Sequence, residues 1–268
     1  MGFKVIKDFY NNRLQVKVNG VFGPLPKPEK WVFVVGCYNS GTTLLHNLLA
    51  SCPEVGSMPN EGHVYTDQLL IPKSVGLYRL WAIEPELFYL DENSQSHIKV
   101  NKLKRQWGAR YNNPNRPILL EKSPPNTARM RWLQQHFENA HFIGIVRNGY
   151  AVAAGIKQKA GCSIEAAARQ WAHSNEIMLH DFNFLQHKLL VRYETLTESA
   201  DEVFQQMLDF IGLKGHGARV TDQVWSIHGR SHPIENMNPR SIATLSRPDC
   251  EIIQSVAADM LNQLGYSC

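Results

Sequence analysis

The stretch WVFVVGCYNSGTTLLHNLLA, residues 31–50, decides the fold. Its first part, Trp31 to Gly36, is a short unbroken apolar run, the pattern of a strand buried on both faces. Leu44, Leu45, Leu48 and Leu49 then recur at helical spacing over Thr42–Ala50, and Pro53 closes that helix from beyond its end. Between strand and helix, Gly36 and Gly41 give the G-x-x-x-x-G spacing of a phosphate-binding loop. In such a turn the amides of residues 40–43 face an anion, and the helix dipole adds roughly 0.3–1 kcal/mol of attraction. Thr42 and Thr43 add hydroxyl donors. An NTPase carries lysine where Thr42 stands, to grip the β- and γ-phosphates. The loop therefore suits a phosphate and is poorly equipped for ATP cleavage.

Outward from this stretch, buried-strand patterns alternate with helical ones. Ile118–Leu120, His141–Val146 and Lys188–Arg192 read as strands. Helices are expected over Thr127–Phe137, from about residue 149, after Ser163 as N-cap, over Glu198–Ile211 with Gly212 as stop, and over Asp249–Leu264 with Gly265 as stop. Asn19-Gly20 within RLQVKVNGVF (13–22) signals a β-hairpin. Strands alternating with helices imply an α/β fold, a three-layer α/β/α P-loop-like domain with a central parallel sheet. One domain is expected over 1–268, with segment 62–117 as an aromatic-rich insertion that builds an acceptor pocket at the carboxyl edge of the sheet.

The chain has 268 residues, 43% of them hydrophobic, enough to bury a core without disulfides or metal. Net charge is +4, a mild bias that suits small anions and is too weak to argue for nucleic acid. The five cysteines are odd in number and lack C-x-x-C or zinc spacing, so free thiols in a reducing compartment are expected. No apolar run is long enough to span a membrane, residue 6 is Ile where a myristoylation signal needs Ser or Thr, and a cytoplasmic location is the expectation. No metal is expected. Oligomeric state is not legible.

The SGTT string after a buried strand resembles the 5'-phosphosulfate loop of sulfotransferases that use 3'-phosphoadenosine 5'-phosphosulfate (PAPS), nearest in motif to tyrosylprotein and bacterial-type members. The resemblance implies a PAPS donor held by Ser40, Gly41, Thr42 and Thr43. It also marks two departures. Asn39 stands where those loops usually have Lys or Arg, and Gly155 where the second motif, HFIGIVRNGYAVAAG (141–155), usually has Ser. By that second motif Arg147 would bind the 3'-phosphate, with Lys157 or Lys159 adding charge. EKSPP (121–125) resembles the family's Glu-Lys-Ser/Thr-Pro segment and puts Lys122 at the sulfuryl group. LLVRYETL (189–196) puts Tyr193 near the adenine, and FIGL (210–213) matches a further family string. Gly229-Arg-Ser231 and Thr244-Leu-Ser246-Arg247 resemble the Ser and basic residue that close over the nucleotide, which implicates Ser231 and Arg247.

The activity so implied is sulfuryl transfer to an acceptor hydroxyl, phenolic or carbohydrate. A general base is needed, and the candidates lie in PNEGHVYT: Glu61, which is 21 residues after Ser40 and matches the spacing in tyrosylprotein sulfotransferases, and His63 as second choice. His97, His228 and His232 are remote third choices. A carboxylate of ordinary acidity is better matched to a phenol than to an aliphatic alcohol. Lys99, Lys102, Lys104, Arg105, Arg110 and Arg116 stand in a span without carboxylates, so either they solvate a helix face or they attract an anionic acceptor. Two rivals remain. A P-loop kinase or NTPase is favoured by Ile118-Leu-Leu-Glu121, which mimics a Walker B strand. A nucleotide-binding protein without turnover is favoured by Asn39 and Gly155.

Overall fold

The computed structural model describes residues 13–213, 219–227 and 230–267. Its centre is a five-stranded parallel sheet: β1 (Lys30–Gly36), β2 (Val55–Ser57), β3 (Ile118–Lys122), β4 (Ala140–Val146) and β5 (Lys188–Arg192), in the order β2-β3-β1-β4-β5. The alternation of side chains along β1 divides the core in two. Trp31, Phe33 and Val35 point to one face and Val32 and Val34 to the other, and all five are buried. This explains the unbroken apolar run, since helices cover both faces. Phe137 meets Trp31 edge-on at 4.9 Å, while Phe142 of β4 stacks on Phe33 at 5.3 Å.

Ten helices, numbered in chain order, flank the sheet among the described residues. The first, α1, spans 13–22, and α2 is Thr42–Ala50. Next come α3 (Val100–Gly108), α4 (Met130–His136), α5 (Gly149–Ala160) and α6 (Ile164–Phe182). The remaining four are α7 (Tyr193–Glu198), α8 (Ala200–Ile211), α9 (Asn238–Ile242) and α10 (Arg247–Leu264). A small antiparallel pair, β6 (Trp225–Ile227) and β7 (Arg230–His232), stands apart from the main sheet. Ser163 caps α6 by accepting from the Ala166 amide, and Ser246 with Asp249 forms a reciprocal cap on α10. No helix among the described residues is long and apolar enough to cross a membrane.

The structure corrects several expectations. Residues 13–22 form a helix rather than a hairpin at Asn19-Gly20. Gly20 lies against α3, where a Cβ would come within 2.8 Å of the Lys102 side chain, and Gln106 donates to the Val16 carbonyl at 3.0 Å. Packing against α3 overrides the local turn signal. The helix expected over Thr127–Phe137 is split: Pro124–Arg129 is a 3₁₀ turn, and α4 begins after an extended φ of −144° at Arg129. β2 and α7 are too short to announce themselves in sequence.

The sheet topology determines where a ligand sits. The strand order reverses around β1, and ligands in such sheets bind outside the carboxyl ends of the strands at that reversal. The residues just beyond β1, β3, β4 and β5 are the 36–43 loop, Ser123, Arg147 and Tyr193. Glu121 at the end of β3 ties in the next segment. It is buried and accepts hydrogen bonds from the Gly62 amide (2.8 Å), the Ser123 hydroxyl and the Asn126 side-chain amide. These fix the 3₁₀ turn Gly62–Tyr65 (η1) against the sheet.

Burial pushes Glu121 up to about 7, against those hydrogen bonds, which pull it down. A carboxyl whose folded value is raised stabilises fully below its unfolded value, and the contribution disappears as pH rises through the folded value. Glu121→Gln keeps the shape without the charge. Wild type should therefore lose about 2–3 kcal/mol relative to the variant between pH 5 and pH 8 in denaturant titrations. A difference that stays constant with pH would show that Glu121 does not ionise in that range.

Candidate active site

The loop after β1 is forced into a tight anion-binding turn by three residues with positive φ: Gly36 (137°), Asn39 (65°) and Gly41 (103°). A Cβ on Gly36 would strike the Ile145 carbonyl at 2.6 Å, and one on Gly41 the Tyr193 ring at 2.9 Å, so both glycines are required by close approach. The Gly36 amide donates to Thr127 Oγ1 at 2.9 Å, which anchors the turn. Gly41 is the N-cap of α2 and offers no side-chain cap, so the first-turn amides remain open to an anion.

Asn39 is where the site's cations meet. The Arg147 Nη1 donates to its carbonyl at 2.8 Å, and Arg79 Nη1 and Lys159 Nζ donate to its Oδ1 at 3.1 and 3.2 Å. Gly155 makes room for it, since a Cβ there would lie 2.7 Å from Asn39 Nδ2. The two departures from the family pattern thus touch each other. Partial burial, then the charges of Arg79 and Arg147, push Lys159 down to about 8.

Arg147 is held from behind. Its Nε donates to Asn238 Oδ1 at 2.7 Å, Asn238 donates to Glu194 Oε1 at 2.7 Å, and the guanidinium lies 4.1 Å from the centre of the Tyr193 ring. The Tyr193 hydroxyl is occupied as well, donating to the Glu235 carbonyl at 3.1 Å and accepting from the Met237 amide at 3.1 Å. Arg147 Nη2, Asn39 Nδ2 and Ser40 Oγ are buried without a hydrogen-bond partner. Unpaired buried polar atoms are costly, and three at one turn fit a polyanionic ligand that completes them.

A second group lies across Thr43. Lys122 Nζ donates to Glu61 Oε1 at 3.1 Å, and His63 Nδ1 is 3.6 Å from Glu61 Oε2 and 3.2 Å from Ser123 Oγ. Burial, with the charges of Arg129 and Lys122, pushes His63 down to about 3, so it is neutral and weakly basic. Glu61 lines both of the cavities described below, whereas His63 lines only the smaller. His97 is exposed and lines neither cavity described below. His228 and the side chain of His232 lie outside the described residues.

Two adjoining cavities enclose these groups. One, of about 790 Å³, is bounded by the loop, Arg147, Gly155, Lys159, Tyr193 and residues of α9. The other, of about 580 Å³, is bounded by Glu61, His63, Lys122, Tyr78 and the apolar Val64, Ile71 and Pro72. Tyr38, Thr43, Glu61 and Arg79 belong to both walls. Asn39, Gly41, Thr42, Thr43, Arg147, Gly155 and Tyr193 thus line the larger cavity together, and Ser40 of the same loop is buried. Ser231 is exposed on β7, and Arg247, 90% exposed, pairs with Glu251 at 2.9 Å. Neither lines a cavity; Arg240 of α9 does instead. Gly229 lies outside the described residues.

The basic span 93–120 is spent elsewhere. Lys102 pairs with Asp67 at 2.7 Å, Lys104 with Glu138 at 2.8 Å, and Arg105 donates to the Gly23 carbonyl at 2.8 Å. None of its six cations lines either cavity. Of the seven rings in 62–117 (Tyr65, Tyr78, Trp81, Phe88, Tyr89, Trp107 and Tyr111), Trp81, Phe88, Trp107 and Tyr111 are buried in the core, and only Tyr78 lines either cavity. Glu121 is engaged with the 61–63 turn rather than available as a Walker B carboxylate. Arg79, Arg240 and Asn238 were not legible, because each lies outside any motif in sequence, and Tyr38 was passed over as an unspecified position of the loop motif.

Comparison with known proteins agrees with this geometry. No curated protein matches the chain. Among solved structures, the sulfotransferase domain of the Synechococcus PCC 7002 olefin synthase superposes with a TM-score of 0.60 at 19% identity, covering 91% of this chain and 97% of that one. The sulfotransferase STF9 of Mycobacterium avium gives 0.58 at 12% identity, with 98% and 86% covered. STF1 of Mycobacterium tuberculosis H37Rv gives 0.55 at 14%, with 92% and 82% covered. These likenesses establish a shared fold. A family model described as "Sulfotransferase family" matches residues 32–216, most of the chain, from β1 past α8. The chain belongs to the sulfotransferase family.

Proposed function

We propose that the protein moves a sulfuryl group from PAPS to an acceptor hydroxyl, with Glu61 as general base. The observation that carries this reading is the meeting of two cavities at Thr43 and Glu61, one lined by anion donors and the other by a base and apolar walls. In the larger cavity, the amides of residues 40–43 with Thr42 and Thr43 would hold the 5'-phosphosulfate. Arg147, its Nη2 unpaired, would hold the 3'-phosphate with its planar fork.

PAPS, when bound, supplies a sulfuryl group on a phosphate leaving group. The acceptor oxygen forms the new bond to sulfur, the bond from sulfur to the bridging oxygen breaks, and 3'-phosphoadenosine 5'-phosphate (PAP) leaves with the electron pair. Glu61 takes the acceptor proton. Lys122, which bonds Glu61, orients the carboxylate and lies beside the smaller cavity, where it can steady charge on the sulfuryl oxygens. The apolar walls Val64, Ile71 and Pro72 with the rings of Tyr38 and Tyr78 suit a flat acceptor, so a phenol is favoured over a sugar.

Transfer of ³⁵S from labelled PAPS to 4-nitrophenol, N-acetyltyrosine amide and N-acetylglucosamine tests the reading. Label should enter the phenols, and Glu61→Ala and Lys122→Ala should each lower kcat by about a hundredfold or more with PAP affinity kept within about threefold. Label in no acceptor would support instead a nucleotide-binding protein without turnover, and full activity in Glu61→Ala would remove Glu61 as the base. Arg147→Ala should weaken PAP binding by about tenfold or more through loss of charge-assisted hydrogen bonds, measured by calorimetry.

A further inference from the structure

The phosphate loop has no charge of its own: residues 36–43 are Gly-Cys-Tyr-Asn-Ser-Gly-Thr-Thr. A sulfuryl group leaving a phosphate builds negative charge on the bridging oxygen, and a fixed cation beside it is worth most where water is excluded. The structure offers three cations at the loop. Arg147 is committed through Nε and Nη1 to Asn238 and Asn39, on the Tyr193 side. Lys159 is a flexible side chain whose described contact is Asn39. Arg79 differs from both.

Arg79 holds a left-handed backbone (φ 64°), which is strained for a residue with a Cβ. Its guanidinium lies over the rings of Tyr38 at 5.1 Å and Tyr78 at 5.4 Å, which fix its plane. Nη1 bonds Asn39 Oδ1, while Nε is buried without a partner. It is also the only cation in both cavity walls among the described residues, so it stands where donor and acceptor meet. Backbone strain, a ring clamp and an unpaired donor at one side chain mark a group held ready for a ligand.

Resting on the donor assignment above, the geometry points to Arg79 as the cation that the phosphate loop itself lacks, aimed at the sulfuryl end of PAPS. Asn39 is its positioning partner, and Gly155 leaves Asn39 the space to turn toward it. Beside Lys122 of β3, a second charge near the reacting bond comes from the segment between Gly76 and Trp81, not from the loop. Acceptor-side segment and donor loop are therefore joined by one side chain.

Calorimetric titration with PAPS and with PAP separates this claim from the one beneath it, because PAP lacks the sulfuryl group. In Arg79→Gln, of similar reach but without charge, PAPS affinity should fall about tenfold or more and PAP affinity less than threefold, while Arg79→Lys should stay within about threefold of wild type for both. Asn39→Lys placed in the Arg79→Gln background should regain at least fivefold in PAPS affinity. Thermal melting of each variant checks that the fold is retained. Equal loss for PAP and PAPS would make Arg79 a nucleotide-binding residue and overturn the proposal. So would unchanged PAPS affinity in Arg79→Gln, or no recovery in the double variant. A wild-type protein that binds neither compound would remove the donor assignment first and this inference with it.

Discussion

The site depends on the fixed backbone of one turn. Gly36, Asn39 and Gly41 take left-handed conformations between the most central strand and α2, and the Gly36 amide is tied to Thr127. Everything around the turn is set against it. Tyr193 presses on Gly41, Arg147 grips the Asn39 carbonyl, Arg79 and Lys159 reach its side chain, and Gly155 leaves room for it. A side chain at position 36 would strike the β4 backbone, so the turn cannot be altered without moving a central strand.

Charge follows the same geometry. Three cations converge on a neutral asparagine, and their mutual repulsion is a cost that an anion removes on binding. On the far side of Thr43 the balance reverses: Lys122 is paired with Glu61, and His63 is kept neutral by burial. Under the proposed function, a donor rich in negative charge would meet the first group and a proton-bearing hydroxyl the second. The buried Glu121 connects the two through the sheet, since its bonds to Gly62 and Ser123 place the Glu61–His63 turn beside the end of β3.

Much of this was legible in the sequence, for physical reasons that also explain the rest. The buried strands and α2 announce themselves because burial on both faces or on one helical stripe demands apolar runs of fixed period. The loop glycines are required by backbone approach, and Arg147 follows directly from β4. The 13–22 helix was hidden because its Asn-Gly pair is a turn signal that contacts with α3 override. Ser231 and Arg247 resembled closing residues, yet the α9 segment supplies that wall and Arg247 faces solvent. Arg79 carried no signal, because its importance comes from a strained φ, two flanking rings and a partner forty residues away.

The proposed function requires the turn after β1 to be an adenosine 3',5'-bisphosphate site, not a nucleoside triphosphate site. Calorimetric competition between PAP and ATP with magnesium tests it directly. PAP should bind and displace ATP, with an affinity that falls as salt rises, since the contacts are charge-assisted. Tighter binding of ATP with magnesium, or no heat from PAP at all, would contradict it.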